Sequence, residues 1–184
     1  MNFLQRFYFL RAGVALAWVA LVVLLSRLQV SPWLTDALLV LYPAWDAGAN
    51  VLDAKHTGGL RANPGQRLNA LVSLVTAVIL AIALAIGGNA GGVLVFGIWA
   101  LLSGLFQLLV GVQRRKLGGQ VFMMISGGQS ALAGVFMTAQ AFGKAPTIAQ
   151  LAPYAAFGAL YFLLAALRLT FKRAPAPSVA ARPD

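Results

Sequence analysis

Six apolar stretches, at 7–26, 33–54, 68–86, 92–112, 120–142 and 147–168, take up most of this chain. Each is close to the ~20 residues a helix needs to cross the hydrocarbon core of a bilayer. A lone segment in that medium must satisfy its own backbone hydrogen bonds, which leaves the helix as its only regular structure. Composition points the same way. The 184 residues are 60% hydrophobic and 10% charged, against roughly 25% charged in an average soluble domain. The pattern predicts an all-α fold, a polytopic membrane bundle of six transmembrane helices.

Basic residues orient that bundle. Arg6 and Arg11 precede or open the first stretch, and Lys55, Arg61 and Arg67 fall after the second. Arg114, Arg115 and Lys116 follow the fourth, and Arg168, Lys172, Arg173 and Arg182 follow the sixth, which puts twelve of the 14 basic residues on one side. Only Arg27 and Lys144 fall on the other. Lys and Arg near span ends favour the cytoplasmic side, so both termini are expected there, in a bacterial inner membrane. The net charge of +10 is then a consequence of topology and not a nucleic-acid footprint. The expected partners are the bilayer and the anionic headgroups of its cytoplasmic leaflet. The first stretch opens on basic residues, as a signal peptide does. It ends at Ser26-Arg27-Leu28-Gln29 without a small-x-small cleavage site, so an uncleaved span is expected.

The six stretches read as three copies of a helix hairpin, at about 5–55, 66–115 and 119–173, in one transmembrane domain, 1–173, with a disordered cytoplasmic tail at 174–184. In the even-numbered stretches, Tyr42, Trp99 and Tyr154 are each followed four residues later by Asp46, Ser103 or Gly158, and then by Ala47, Gly104 or Ala159. The odd-numbered stretches align more weakly, from Arg11, Asn69 and Gly127. A period above fifty residues with one supersecondary unit per copy indicates internal duplication. The connections on the sparsely charged side are short, at 27–32, 87–91 and 143–146. The glycine-rich run at 87–92 is expected to be a flexible tight turn, since it lacks the lysine and the preceding strand of a phosphate loop.

The aromatic-x-x-x-Asp-small pattern of Tyr42 to Ala47, set in tandem hairpins, resembles the HdeD-like acid-resistance family of bacterial short-repeat membrane proteins. The resemblance covers most of 5–173, and the later copies lack the aspartate. It implies a six-span inner-membrane protein, linked in one member of the family to acid stress.

The second stretch holds the residues with the most chemical content. Tyr42, Asp46, Asn50 and Asp53 follow i, i+4, i+8 and i+11, one stripe of a helix. A carboxylate inside a span costs about 2.5–3.5 kcal/mol on insertion scales and faces the bundle, water or a partner. Two readings follow. Asp46 could take up and release a proton in a transport pathway. Alternatively, Arg11 pairs with Asp53 directly or reaches Asp46 through Asn50, and the ion pair fixes two helices. Partnered charges are the norm in spans, which puts structural pairing ahead. Pro43 and Pro153 are expected to kink their helices, with neighbours satisfying the freed carbonyls.

Small residues supply a second pattern. Gly97, Gly104 and Gly111 recur every seven residues in the fourth stretch, as do Gly127, Gly134 and Ala141 in the fifth. Such stripes let backbones approach, so a helix-packing seam is expected, within one chain or between two copies in a homo-oligomer. Asn69, Ser73 and Thr76 share a face; these, with Gln107, Gln129 and Ser130, are expected to make interhelical hydrogen bonds rather than line a cavity. His56 is expected in a solvated loop, and Asp36 at a helix N-terminus.

With one histidine, four acidic residues and no cysteine, neither disulfides nor thiolate chemistry are available, and no metal or cofactor is expected. There is no serine–histidine–acid set, no HExxH and no nucleotide loop. The function expected is that of a non-enzymatic inner-membrane protein. The rival is a small transporter or channel that uses Asp46 in a proton- or cation-linked pathway.

Overall fold

The computed structural model describes residues 2–29, 31–143 and 146–171. The expected tail, with Lys172, Arg173 and Arg182, lies outside them, as does Lys144. The described residues are helical apart from short connections: α1 (Phe3–Arg27), α2 (Pro32–Lys55), α3 (Gly59–Ala62), α4 (Pro64–Gln113), α5 (Gln120–Gln140) and α6 (Ala152–Phe171), the last entered through a 3-10 turn at Ile148–Leu151. Phe3–Arg27, Pro64–Gln113, Gln120–Gln140 and Ile148–Phe171 are long and apolar enough to cross a membrane. α2 has the length, at 24 residues, but carries its three aspartates and a lysine.

α4 joins the third and fourth apolar stretches. As one straight helix its 50 residues would run ~75 Å. The backbone instead breaks at Gly88, with φ 55° and ψ −147°, a conformation open essentially to glycine alone. The two arms fold back on each other. A Cβ on Gly65 would lie 2.8 Å from Val110, and one on Gly92 would lie 2.6 Å from Leu84. Trp99 bonds Ser73 across the pair. The turn expected over 87–92 is thus contracted to a single residue, because the remaining glycines still accept helical dihedrals.

The packing follows a ring. α1 packs most extensively on α6, α2 on α4 and α4 on α5, while α1 and α2, joined by a short link, touch far less. The α5–α6 pair is likewise looser than these three. One end of the ring gathers the start of α1, the end of α2, both ends of α4, the start of α5 and the end of α6. There Phe3 stacks on His56 at 3.6 Å, Arg114 bonds Thr57 and Asn63, Gln120 bonds Tyr8 and Gln5 bonds Thr170. This is the end with the excess of basic residues. His56 is exposed, as expected, but caps α2 and is covered on one face by Phe3.

Polarity is distributed inside out. Leu16, Leu74, Val78, Ile82, Leu132 and Phe136 are all more than half exposed, at 52%, 56%, 59%, 55%, 74% and 64%. Asp46, Asn50, Asp53, Asn69, Ser73 and Ser103 are buried. Apolar side chains outward and polar ones inward is the arrangement that lipid, not water, stabilises.

The glycine seam lies within the chain, between the second arm of α4 and α5. A Cβ on Gly104 would meet Ala131 N at 2.5 Å and Gly127 O at 2.6 Å, and one on Gly97 would meet Thr138 N at 2.7 Å. Gly127 and Gly134 face back, against Leu108 and Leu101. Gly111 packs against Met124. Two local expectations change. α2 begins at Pro32, so Asp36 sits in its second turn and its first turn holds no acidic residue. Pro153 lies in the first turn of α6, where a missing N–H costs little, while Pro43 is buried inside a helix that continues across it.

Candidate functional site

The buried stripe of α2 is built into two ion pairs. Arg11, from α1, donates to Asp46 Oδ1. The other carboxylate oxygen, Oδ2, accepts from Asn50 Nδ2 at 3.0 Å and from the Ser73 hydroxyl at 2.9 Å. Ser73 in turn accepts from Trp99 Nε1 at 2.9 Å. Asn50 also donates to the Asp46 carbonyl at 2.8 Å, as its i, i+4 spacing allows. The Arg11 guanidinium lies 4.4 Å from the Phe162 ring centroid, a cation–π contact with α6. One carboxylate therefore draws together α1, α2 and both arms of α4, and its arginine adds α6.

Asp53, about two turns nearer the basic end, belongs to a different pair. Its Oδ2 accepts from Arg114 Nη1 at 2.7 Å and Gln66 Nε2 at 3.0 Å. The expected direct contact of Arg11 with Asp53 is not made. Arg114 ends α4 at the level of Asp53 and takes that carboxylate, leaving Arg11 for the deeper one. Arg114 reads in the sequence as one more cytoplasmic charge, and that role hid its pairing. Tyr42 makes no ion-pair contact. It is half-buried in an aromatic cluster, 4.7 Å from Trp18 and 5.8 Å from Trp99.

Two small cavities adjoin the pairs. A mid-bundle cavity of about 60 Å³ is bordered by Arg11, Asp46, Asn69, Trp99, Ser103 and Tyr154, among others. A second, of about 50 Å³, lies toward the basic end between Tyr8, Asp53, Gln66 and Arg114. Arg11, Asn69, Gln107 and Phe162 border both. Asn69, Gln107, Gln129 and Ser130 were expected only to bond between helices. They line the first cavity, although Gln107 and Ser130 also bond the Met123 and Ala100 carbonyls.

The residues that the sequence aligns share one cavity. Tyr42, Trp99 and Tyr154 all border the mid-bundle cavity, as do Asp46, Ser103 and Gly158. In the second and third copies the aromatic residue bonds a serine: Trp99 with Ser73, and Tyr154 with Ser130 at 2.8 Å. In the first copy the corresponding residue is Ala15, which has no hydroxyl, and Tyr42 packs among aromatic rings instead.

Comparison with protein-family models, with curated proteins and with solved structures gives no match.

Proposed function

We propose that this chain is a six-span integral protein of the bacterial inner membrane, three tandem hairpins with both termini cytoplasmic. It works without catalysis in envelope integrity or the response to acid, the latter being what the HdeD-like resemblance implies. The observation that carries the reading is the saturation of Asp46: one oxygen is held by Arg11, the other by Asn50 and Ser73. A carboxylate so occupied is a fastener between helices rather than a vacant proton acceptor. The six-span topology is supported by the fold-back at Gly88 and by the common end shared by the basic segments.

The two neighbouring cavities favour a second reading, a small transporter or channel with Asp46 in its pathway. Asp46→Asn in proteoliposomes separates the two. Under the first reading the variant unfolds more readily and pH-driven flux is absent from parent and variant alike. Flux in the parent that disappears in a stably folded Asp46→Asn would establish the second. Fusion of a reporter active only in the cytoplasm should give signal at either terminus; signal from a periplasmic reporter would overturn the topology.

A further inference from the structure

Buried polar atoms in native proteins nearly always have a partner, so those without one ask for an occupant. Among the described residues four such atoms occur: Arg11 Nε, Asp53 Oδ1, Asn69 Oδ1 and Ser103 Oγ. All four residues border one or both of the two cavities, and Arg11, Asn69 and Ser103 meet at the mid-bundle one. Asn69 is 6% exposed and Ser103 8%, so bulk water does not serve them. The unmet groups form a set: a donor at Arg11, an acceptor at Asn69 and a hydroxyl able to play either part at Ser103.

Charge, shape and size narrow the occupant. Arg11 is already neutralised by Asp46, so an ion would enter without a counter-charge and at high cost. Trp99, Tyr154 and Tyr161 are among the residues that line it, and an aromatic lining suits a planar molecule. The volume of about 60 Å³ holds roughly four to six non-hydrogen atoms, at the ~10–15 Å³ each water-sized position requires. The aromatic cluster of Trp18, Tyr42 and Phe96 packs on the Gly88 side, while the second cavity continues toward the basic end.

We propose that the mid-bundle cavity is a binding site for a small, uncharged, planar solute of the amide class. Its carbonyl accepts from Arg11 Nε and the Ser103 hydroxyl, and its N–H donates to Asn69. The site goes beyond the fastening role of Asp46, which neutralises Arg11 and leaves the solute to the other groups.

The test is saturation-transfer NMR on the purified full chain in detergent, with acetamide as the probe and protein-free micelles as the blank. Saturation should pass from the protein to the acetamide methyl group. Ser103→Leu, which fills the cavity, and Asn69→Leu should each weaken the transfer by about fivefold or more, the effect of losing one hydrogen bond. Leu105→Ala, on the exposed face, should leave it unchanged. Acetate, of equal size but charged, should show much weaker transfer than acetamide. No transfer to acetamide in the parent would mean the cavity holds water alone and would overturn the proposal. Undiminished transfer in a folded Ser103→Leu would also overturn it. Should both leucine variants fail to fold, the comparison of acetamide with acetate on the parent decides, and equal transfer refutes the site.

Discussion

The bundle is fastened in two different ways. Where α2 meets α1 and α4, helices are joined by charge: Arg11 with Asp46, and Arg114 with Asp53. Where α4 meets α5, they are joined by the absence of side chains, with Gly97, Gly104, Gly127 and Gly134 bringing the backbones together. Lipid is as apolar as leucine, so burying leucine gives no advantage between spans, and close packing and polar contacts remain as the driving terms. The two regions use one term each. The charged region carries the cavities. The glycine region leaves no room for a ligand.

Substitutions can break this contrast. Asp46→Asn should have the largest effect, about 3–5 kcal/mol of stability in detergent unfolding, because it leaves Arg11 buried and unpaired. Gly104→Leu should come next, near 3 kcal/mol at the upper end of overpacking costs, and it should lower melting equally at mildly acidic and neutral pH. Asp53→Asn should cost about 1.5–3 kcal/mol, the worth of a hydrogen bond to a charged group, since Arg114 keeps Thr57 and Asn63. Ser73→Ala removes a neutral donor and should cost about 0.6–1.7 kcal/mol, read by the same unfolding assay. Leu105→Ala, at 48% exposure, should stay within about 0.5 kcal/mol of the parent. Were Leu105→Ala to match Gly104→Leu, the seam would be misassigned.

What was legible in the sequence follows the size of the penalty for error. A carboxylate in a span is so costly that Asp46 announced a partner, and Arg11 was the nearest cation. The seven-residue glycine spacing likewise announced a seam, though not which helix it met. Ser73 and Trp99 were harder, because a hydroxyl or indole in a span is cheap enough to need no explanation. Arg114 was masked by a second sufficient reason for its position. Gly88 was masked by its glycine neighbours, any of which could have turned the chain.

The central claim is that Arg11 and Asp46 act as one unit holding the helices together. A double-mutant cycle with Arg11→Gln and Asp46→Asn, read by unfolding in detergent micelles, tests it most directly. Each single variant should be strongly destabilised and the double variant less so than their sum, with a coupling of about 1–3 kcal/mol, as for residues in contact. Additive losses, or an Asp46→Asn variant as stable as the parent, would contradict the account.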